Sequence, residues 1–370
     1  MTILYMNLAL VFSFSLGARH LRDSALSVTS EAPYMKPGYF FMFVSLASLV
    51  VVSGMRNNIG DTYVYRNIFE SNEFTWEYVQ SQKDMGFGVL QMILKMFTDN
   101  AQVLIFTAAL ITNVLIVLVL YKYTKLFELS LFVFIASGMY LVSMNGIRQY
   151  LAAAIIFAST KFILEGSFVK YALVVLLAST FHQSALVLLP IYFIVRREAW
   201  TKTTFLILFS AILIVLGYNQ FSELLFSTLG EDGYGGYSDF DEGGANIIRV
   251  AVGSAPLILA FLGRDKFREL FPKCDYIVNL ALLGVIFMIV ATQNWLFARL
   301  SIYFDLYNLI LISWVVHLFA VKDRKLIYYA IVVCYFFFFI YEYVITLNIE
   351  YRSDFLEFLD PDKGPLFLQS

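Results

Sequence analysis

Eleven apolar runs punctuate this chain, near residues 2–17, 38–55, 101–121, 127–144, 147–164, 168–195, 203–221, 247–262, 276–292, 300–320 and 326–347. A bilayer core about 30 Å thick takes roughly 20 apolar residues per crossing helix. Inside it, only helices and closed barrels satisfy every backbone polar group. Runs of this length, without a two-residue alternation, predict helices. Composition agrees: 60% of the 370 residues are hydrophobic and 15% charged, against about 45–50% and 25% in soluble domains. The expectation is an all-α polytopic membrane protein of about eleven to twelve transmembrane helices. Residues 1–348 form one membrane domain with outer loops at 56–100 and 223–246, and 349–370 form a polar, acidic C-terminal tail. The first run has no basic lead and no small-residue cleavage site, so it reads as a retained helix.

Orientation follows the Lys/Arg bias of short loops. Arg19, Arg22 and Lys36 mark one cytoplasmic loop, and Lys122 with Lys125 and Lys161 with Lys170 mark two more. Arg196, Arg197 and Lys202 mark a further one, as do Arg264, Lys266, Arg268 and Lys273, and then Lys322, Arg324 and Lys325. These agree everywhere except across 168–195, where one crossing would put Lys170 and Arg196 on opposite sides. The polar knot His182-Gln183-Ser184 resolves the conflict. If the chain doubles back there, 168–181 and 184–195 become a broken or re-entrant helix pair. Irregular backbone at membrane depth is tolerated where it lines a watery cavity. One outer face then gathers loop 56–100, the 144–148 turn, His182, loop 223–246 and the 293–299 turn.

Several chemistries are disfavoured. No Gly-rich phosphate loop occurs, Cys274 and Cys334 form no CxxC pair, and no closely spaced His and carboxylate ligands suggest bound zinc. No cofactor is expected. The formal net charge of −2 singles out no partner, and nothing points to nucleic acid.

Polar residues on the expected outer face carry the chemistry. In "SGMRNNIGDTYVYRNIF", Arg56 and Asp61 follow a membrane helix, with Gly60 giving a tight turn; the bland alternative is a snorkelling Arg paired with Asp61. In "MNGIRQYLAAAI", Arg148 and Gln149 open an Ala-rich helix. A cation there opposes the macrodipole, yet the place suits an anion shared with free N–H groups. His182 is an intramembrane ionisable group at a helix break; a core histidine bonded to a carbonyl is the alternative. Arg299 follows an exposed turn and is an anion ligand or a headgroup anchor. It is not paired with Asp305, six positions on. His317 reads as structural and His20 as a loop residue. The loop "GEDGYGGYSDFDEGG" offers Tyr234, Tyr237 and Phe240 for sugar stacking, although a mobile solvated loop explains it as well, and Asp239 with Asp241 is a weak metal motif. Arginine forks suit phosphate. An outward enzyme without ATP needs an activated substrate, and a lipid diphosphate is one.

Four segments, "RNNIGDTYVYRNIF", "KDMGFGVL", "NGIRQYLAAAI" and "TFHQSALVLLPIYF", in this order, resemble the EpsG family of bacterial membrane proteins, grouped with Wzy-type polysaccharide polymerases. The resemblance rests on Arg56, Gly60, Asp61 and Tyr65, on Ile147-Arg148-Gln149, and on Phe181-His182 with Ser184-Ala185. It covers roughly 38–195, and the second half in hydropathy. Asp84 stands where relatives carry an acidic residue before "GF", with Met85 in place of the expected proline. The resemblance implies joining of oligosaccharide repeat units carried on undecaprenyl diphosphate, at the outer leaflet of the bacterial cytoplasmic membrane, for exopolysaccharide, capsule or O-antigen. It also implies a flippase and a chain-length regulator as partners. The expected roles are metal-independent glycosyl transfer with His182 and Asp61 catalytic and with Arg56, Arg148 and Arg299 on the diphosphate. Tyr65, Asp84, Gln149 and Tyr237 would contact substrate. Two alternatives stand beside it: a membrane acyltransferase or glycan ligase acting on a surface polysaccharide, and a flippase for the lipid-linked oligosaccharide. A transporter would show two related halves; one break and no second copy is present.

Overall fold

The computed structural model describes residues 1–26, 38–229 and 243–356, which are predominantly helical, with no strand among them. Among the described residues, five helices are long and apolar enough to cross a membrane: Gln102–Tyr123, Ile147–Glu165, Cys274–Ala291, Leu296–Leu318 and Val321–Thr346. Two bent pairs raise the number to seven. Phe127–Ala136 and Met139–Asn145 meet at 57°, at Gly138 in the left-handed region, and Ile247–Leu262 meets Arg264–Leu270 at 83°. Apolar helices of 10–17 residues make up the remaining runs, so eleven to twelve passes are reached only if these also cross. The first helix runs Thr2–Leu26, which makes His20 helical rather than a loop residue.

Residues pack into two compact units, Met1–Leu189 with Ile312–Ser370, and Pro190–Leu311. In the first, neighbouring helices are joined by small polar side chains. Ser15 bonds Ser45 at 3.0 Å, and Ser48 donates to Asn7 at 2.8 Å. Such contacts hold helices together where the surrounding lipid is as apolar as their own side chains. Buried tyrosines add to this: Tyr140 donates to the Leu49 carbonyl at 2.6 Å, and Tyr343 to that of Ile135 at 2.8 Å. In the second unit, Asn308 donates to the Gly253 carbonyl at 2.9 Å, and Arg268 forks onto Asp275. Asp305 accepts from Ser301 at 2.7 Å.

Residues 56–100, expected as a loop with one apolar stretch, fold into three short helices, Thr62–Ser71, Trp76–Ser81 and Met85–Lys95. The reason is amphipathic spacing. Tyr65, Phe69, Phe74 and Phe87 share a core with Leu104, Ile105 and Ile147. The middle helix is capped by Thr75, whose side chain accepts from the Tyr78 N–H at 3.2 Å. The last is eleven residues, about 16 Å at 1.5 Å per residue, too short to span.

The doubling back at His182 is present. His182 is extended (φ −158°, ψ 114°) between the helix Phe168–Phe181 and the 3-10 turn Gln183–Val187. The Tyr171 hydroxyl, eleven residues before it, donates to the Leu188 carbonyl at 3.3 Å. A continuous helix would hold residues 171 and 188 about 25 Å apart. Of the tail, residues 350–352 strap loop 57–58 by backbone and amide bonds, and Tyr351 is buried with its hydroxyl on the Val52 carbonyl. Residues 357–370 lie outside the described residues.

Candidate active site

Asp84 is the hub. It precedes the helix Met85–Lys95 but makes no side-chain cap bond to it. Its carboxylate turns to other elements instead. Oδ2 accepts from Arg148 Nη1 at 2.8 Å and lies 3.4 Å from His182 Nδ1, while Oδ1 accepts from the Gln183 N–H at 3.1 Å. Three segments far apart in sequence thus meet on one side chain, itself 9% exposed. Gly86 makes the approach possible, since a Cβ there would lie 2.2 Å from Thr180 Oγ1.

Arg148, second residue of the helix Ile147–Ala158, is held from two further directions. Its Nε donates to the Tyr65 hydroxyl at 3.3 Å, and its guanidinium lies 5.7 Å from that ring. Tyr65 is fixed in turn by an edge contact with Phe87. Nη2 has no protein partner among the described residues, and 41% of the side chain is exposed. His182 likewise keeps Nε2 free among the described residues, with 22% of its side chain exposed. One face of the cluster is therefore assembled and the other is open.

Burial pushes the Asp84 carboxyl up, but the His182 hydrogen bond, the Arg148 charge and the Gln183 N–H outweigh it, and the net shift is below the usual carboxylate range. A carboxyl lowered in the folded state contributes its stability in full above the unfolded value, about 3.9. That contribution is lost as pH falls through the lower folded value. The charged cluster thus persists to more acid pH than an ordinary carboxylate would allow.

Other expected site residues fall elsewhere. Asp61 does not meet His182. It is exposed, its carboxylate bonds nothing among the described residues, and its N–H donates to Asn145 Oδ1 at 2.9 Å. Gly60 (φ +54°) permits that contact, because a Cβ would overlap the Asn145 amide. Asp61 acts on the cluster only through its charge, felt at Arg148. Gln149 is buried. Arg299 belongs to the second unit, with its guanidinium 4.2 Å from the Trp295 ring. Tyr237 and the rest of the acidic loop, 230–242, lie outside the described residues. His317 is buried with Nδ1 3.3 Å from the Ser313 carbonyl, the structural role expected.

Arg56 is turned to the protein and away from any open surface, which argues against a diphosphate contact. It is 2% exposed and donates to the Ser53 carbonyl, to Thr62 Oγ1 at 3.0 Å and to the Met144 carbonyl at 2.5 Å. It clamps the end of one helix to the turn that presents Arg148. Arg56→Gln should leave those carbonyls unpaired and lower unfolding stability by roughly 3 kcal/mol. Thermal melting in detergent reads this directly, and an unchanged melting curve would dismiss the clamp.

Among the described residues no cluster of three His, Cys, Asp or Glu side chains could hold a metal ion. A model of the EpsG family matches residues 39–353, which carries the similarity through the second half as well as through 38–195. No curated protein and no solved structure matches the chain.

Proposed function

The chain belongs to the EpsG family, and from that premise we propose that it is a polysaccharide polymerase, transferring a growing glycan from undecaprenyl diphosphate to a hydroxyl of the next lipid-linked repeat unit. The observation that supports this most is a single buried carboxylate holding a guanidinium and an imidazole, each with one nitrogen left open. These are the two groups that such a transfer requires. In the reaction the acceptor oxygen forms a bond to the anomeric carbon, and the bond from that carbon to the diphosphate oxygen breaks. The hydroxyl proton passes to His182 Nε2, and the diphosphate leaves with the bonding pair.

Arg148 neutralises the charge that builds on the leaving diphosphate, the role a metal fills elsewhere. Asp84 holds Nδ1–H of His182, which puts the lone pair on Nε2 where a base needs it. A neutral imidazole can accept the hydroxyl proton in one step and pass it on in the next. Tyr65 orients Arg148 and is a positioning residue. The site faces the outside of the bacterial cytoplasmic membrane, where a flippase delivers lipid-linked units and a chain-length regulator acts on the product.

Purified protein with a defined lipid-linked repeat unit should give a ladder of products on a gel. Arg148→Lys keeps the charge but loses the planar fork and should slow the ladder about 10²-fold. A ladder formed at the wild-type rate by that variant removes Arg148 from the diphosphate site. Absence of any ladder with wild-type protein, together with movement of the lipid-linked unit across vesicles, would favour a flippase instead.

A further inference from the structure

Arg56 lies against a small internal cavity that the proposed chemistry leaves unused. The cavity, of about 10 Å³, is bordered by Ser53, Arg56, Ala109, Asn113, Ser143 and Ile147, among others. Asn113 is 1% exposed, and its amide nitrogen donates to the Ala109 carbonyl at 2.8 Å and to Ser53 Oγ at 3.0 Å. Chemistry fixes that orientation of the amide. Ser53 spends its own hydroxyl hydrogen on the Leu49 carbonyl at 2.7 Å, so its oxygen can only accept, as can the Ala109 carbonyl. The other end of the amide is therefore Asn113 Oδ1, a buried acceptor with no partner among the described residues, and such an atom is costly to leave unmet. Ser143 presents a second oxygen of this kind, its hydrogen being given to the Tyr140 carbonyl at 2.6 Å. Arg56 brings the opposite need. A guanidinium carries five N–H groups, and Arg56 places three, on Ser53, Thr62 and Met144, which leaves N–H groups without an acceptor among the described residues.

We propose that this cavity is a binding site for one ordered water, which donates to Asn113 Oδ1 and Ser143 Oγ and accepts from Arg56. The walls select the occupant. Two of these groups accept and one donates, so what fits must donate twice and accept once, as a buried water with its usual three or so bonds does. A halide would meet the guanidinium but set its charge against two oxygens that have no hydrogen to give. A metal ion would meet the oxygens but sit against a fixed positive charge. Size agrees, since one water needs roughly 10–15 Å³ and the cavity offers about 10 Å³. The water also completes a joint. Arg56 already ties the end of the helix Tyr39–Gly54 to Thr62 and to the Met144 carbonyl. Asn113 belongs to the helix Gln102–Tyr123, and the water brings that helix into the same clamp. Ile147, the residue before Arg148, closes the cavity, so internal hydration supports the turn that presents Arg148. None of this depends on what the protein catalyses.

A crystal structure of the full chain that resolves ordered solvent should carry one peak within hydrogen-bonding distance of both Asn113 Oδ1 and an Arg56 nitrogen. Crystals soaked in bromide should give no anomalous signal at that place. Bromide in the cavity would make it an anion site, and a featureless map there would make it dry; either result overturns the water. Two variants put the same question to thermal melting in detergent. Ala109→Ser and Ala109→Cys each add one atom at the cavity wall. A hydroxyl can donate to Asn113 Oδ1 in place of the water, whereas a thiol is a weak donor that displaces the water without replacing its bonds. Ala109→Cys should therefore melt several degrees below Ala109→Ser. In a dry cavity the order reverses, because the larger thiol behaves as a small hydrophobe and is the better filler. A Cys variant that melts with the Ser variant or above it overturns the proposal.

Discussion

Asp84→Asn should slow polymer formation about 10³-fold while leaving the protein folded, because a positioned general base contributes about 10²–10⁴ and Asp84 positions this one. Asparagine keeps the size of the side chain and can still accept from the Gln183 N–H. It loses the charge that Arg148 and His182 both use, and its amide nitrogen, if turned to His182, selects the wrong tautomer. His182→Ala should cost a similar factor, and the double variant should cost little more than either single one, because the two residues act as one unit. Independent, multiplying losses would mean that Asp84 serves Arg148 alone. The pH profile separates the possibilities further. Asp84 lies below the usual carboxylate range, so it stays ionised across the range in which an ordinary carboxylate titrates. The acid limb of wild-type activity should therefore come from another group, and Asp84→Asn should lower the plateau without removing that limb. A gel assay of initial rates from mildly acid to mildly alkaline pH gives both numbers.

The helices and the break at His182 were legible because lipid imposes long apolar runs, and the Lys/Arg bias of the flanking loops conflicts across the one run that carries three polar residues in a row. The two ligands with open nitrogens, Arg148 and His182, were legible for the same reason. Their partner was named only as a substrate contact, from the place of Asp84 before "GF" in the resemblance, and its role in holding both was not legible. Asp61 and Asp84 look alike in sequence, each an aspartate just before a short amphipathic helix, where such residues ordinarily cap or meet the helix dipole. What separates them is tertiary. Asp61 follows Gly60, which lets Asn145 close on the backbone, and its carboxylate is left in solvent. Asp84 precedes Gly86, which lets Thr180 close in and brings the turn at His182 onto the carboxylate. The glycine two residues beyond Asp84 was the available signal, and it becomes readable only once the opposing helix is known. Arg56 shows the converse limit. A snorkelling cation and a diphosphate ligand were both reasonable for an Arg at a helix end, and neither foresees a side chain buried on two carbonyls and a threonine.

Gly86 therefore carries the other large effect, with no chemistry of its own. A Cβ at this position would lie 2.2 Å from Thr180 Oγ1, 2.8 Å from Thr180 Cβ and 3.0 Å from the Thr180 carbonyl oxygen. Rotating one side chain does not relieve all three, so Gly86→Ala has to move the helix Met85–Lys95 away from the helix Phe168–Phe181. Asp84 is two residues before Gly86, and His182 is two residues after Thr180, so the separation is transmitted to the 3.4 Å contact between them. Misplacing a catalytic group by about 1 Å costs roughly 10² in rate. Gly86→Ala should show that loss with its helical circular dichroism unchanged, and Gly86→Val more. Thr180→Gly removes two of the three obstructing atoms, and in the Gly86→Ala background it should restore about tenfold of the lost activity by letting the helices close again. The same rescue should return the His182 ring-nitrogen signal toward its wild-type position, which a general gain in stability would not do. A fully active Gly86→Ala protein, or a double variant no better than the single one, would mean that close approach of these two helices does not set the distance between Asp84 and His182.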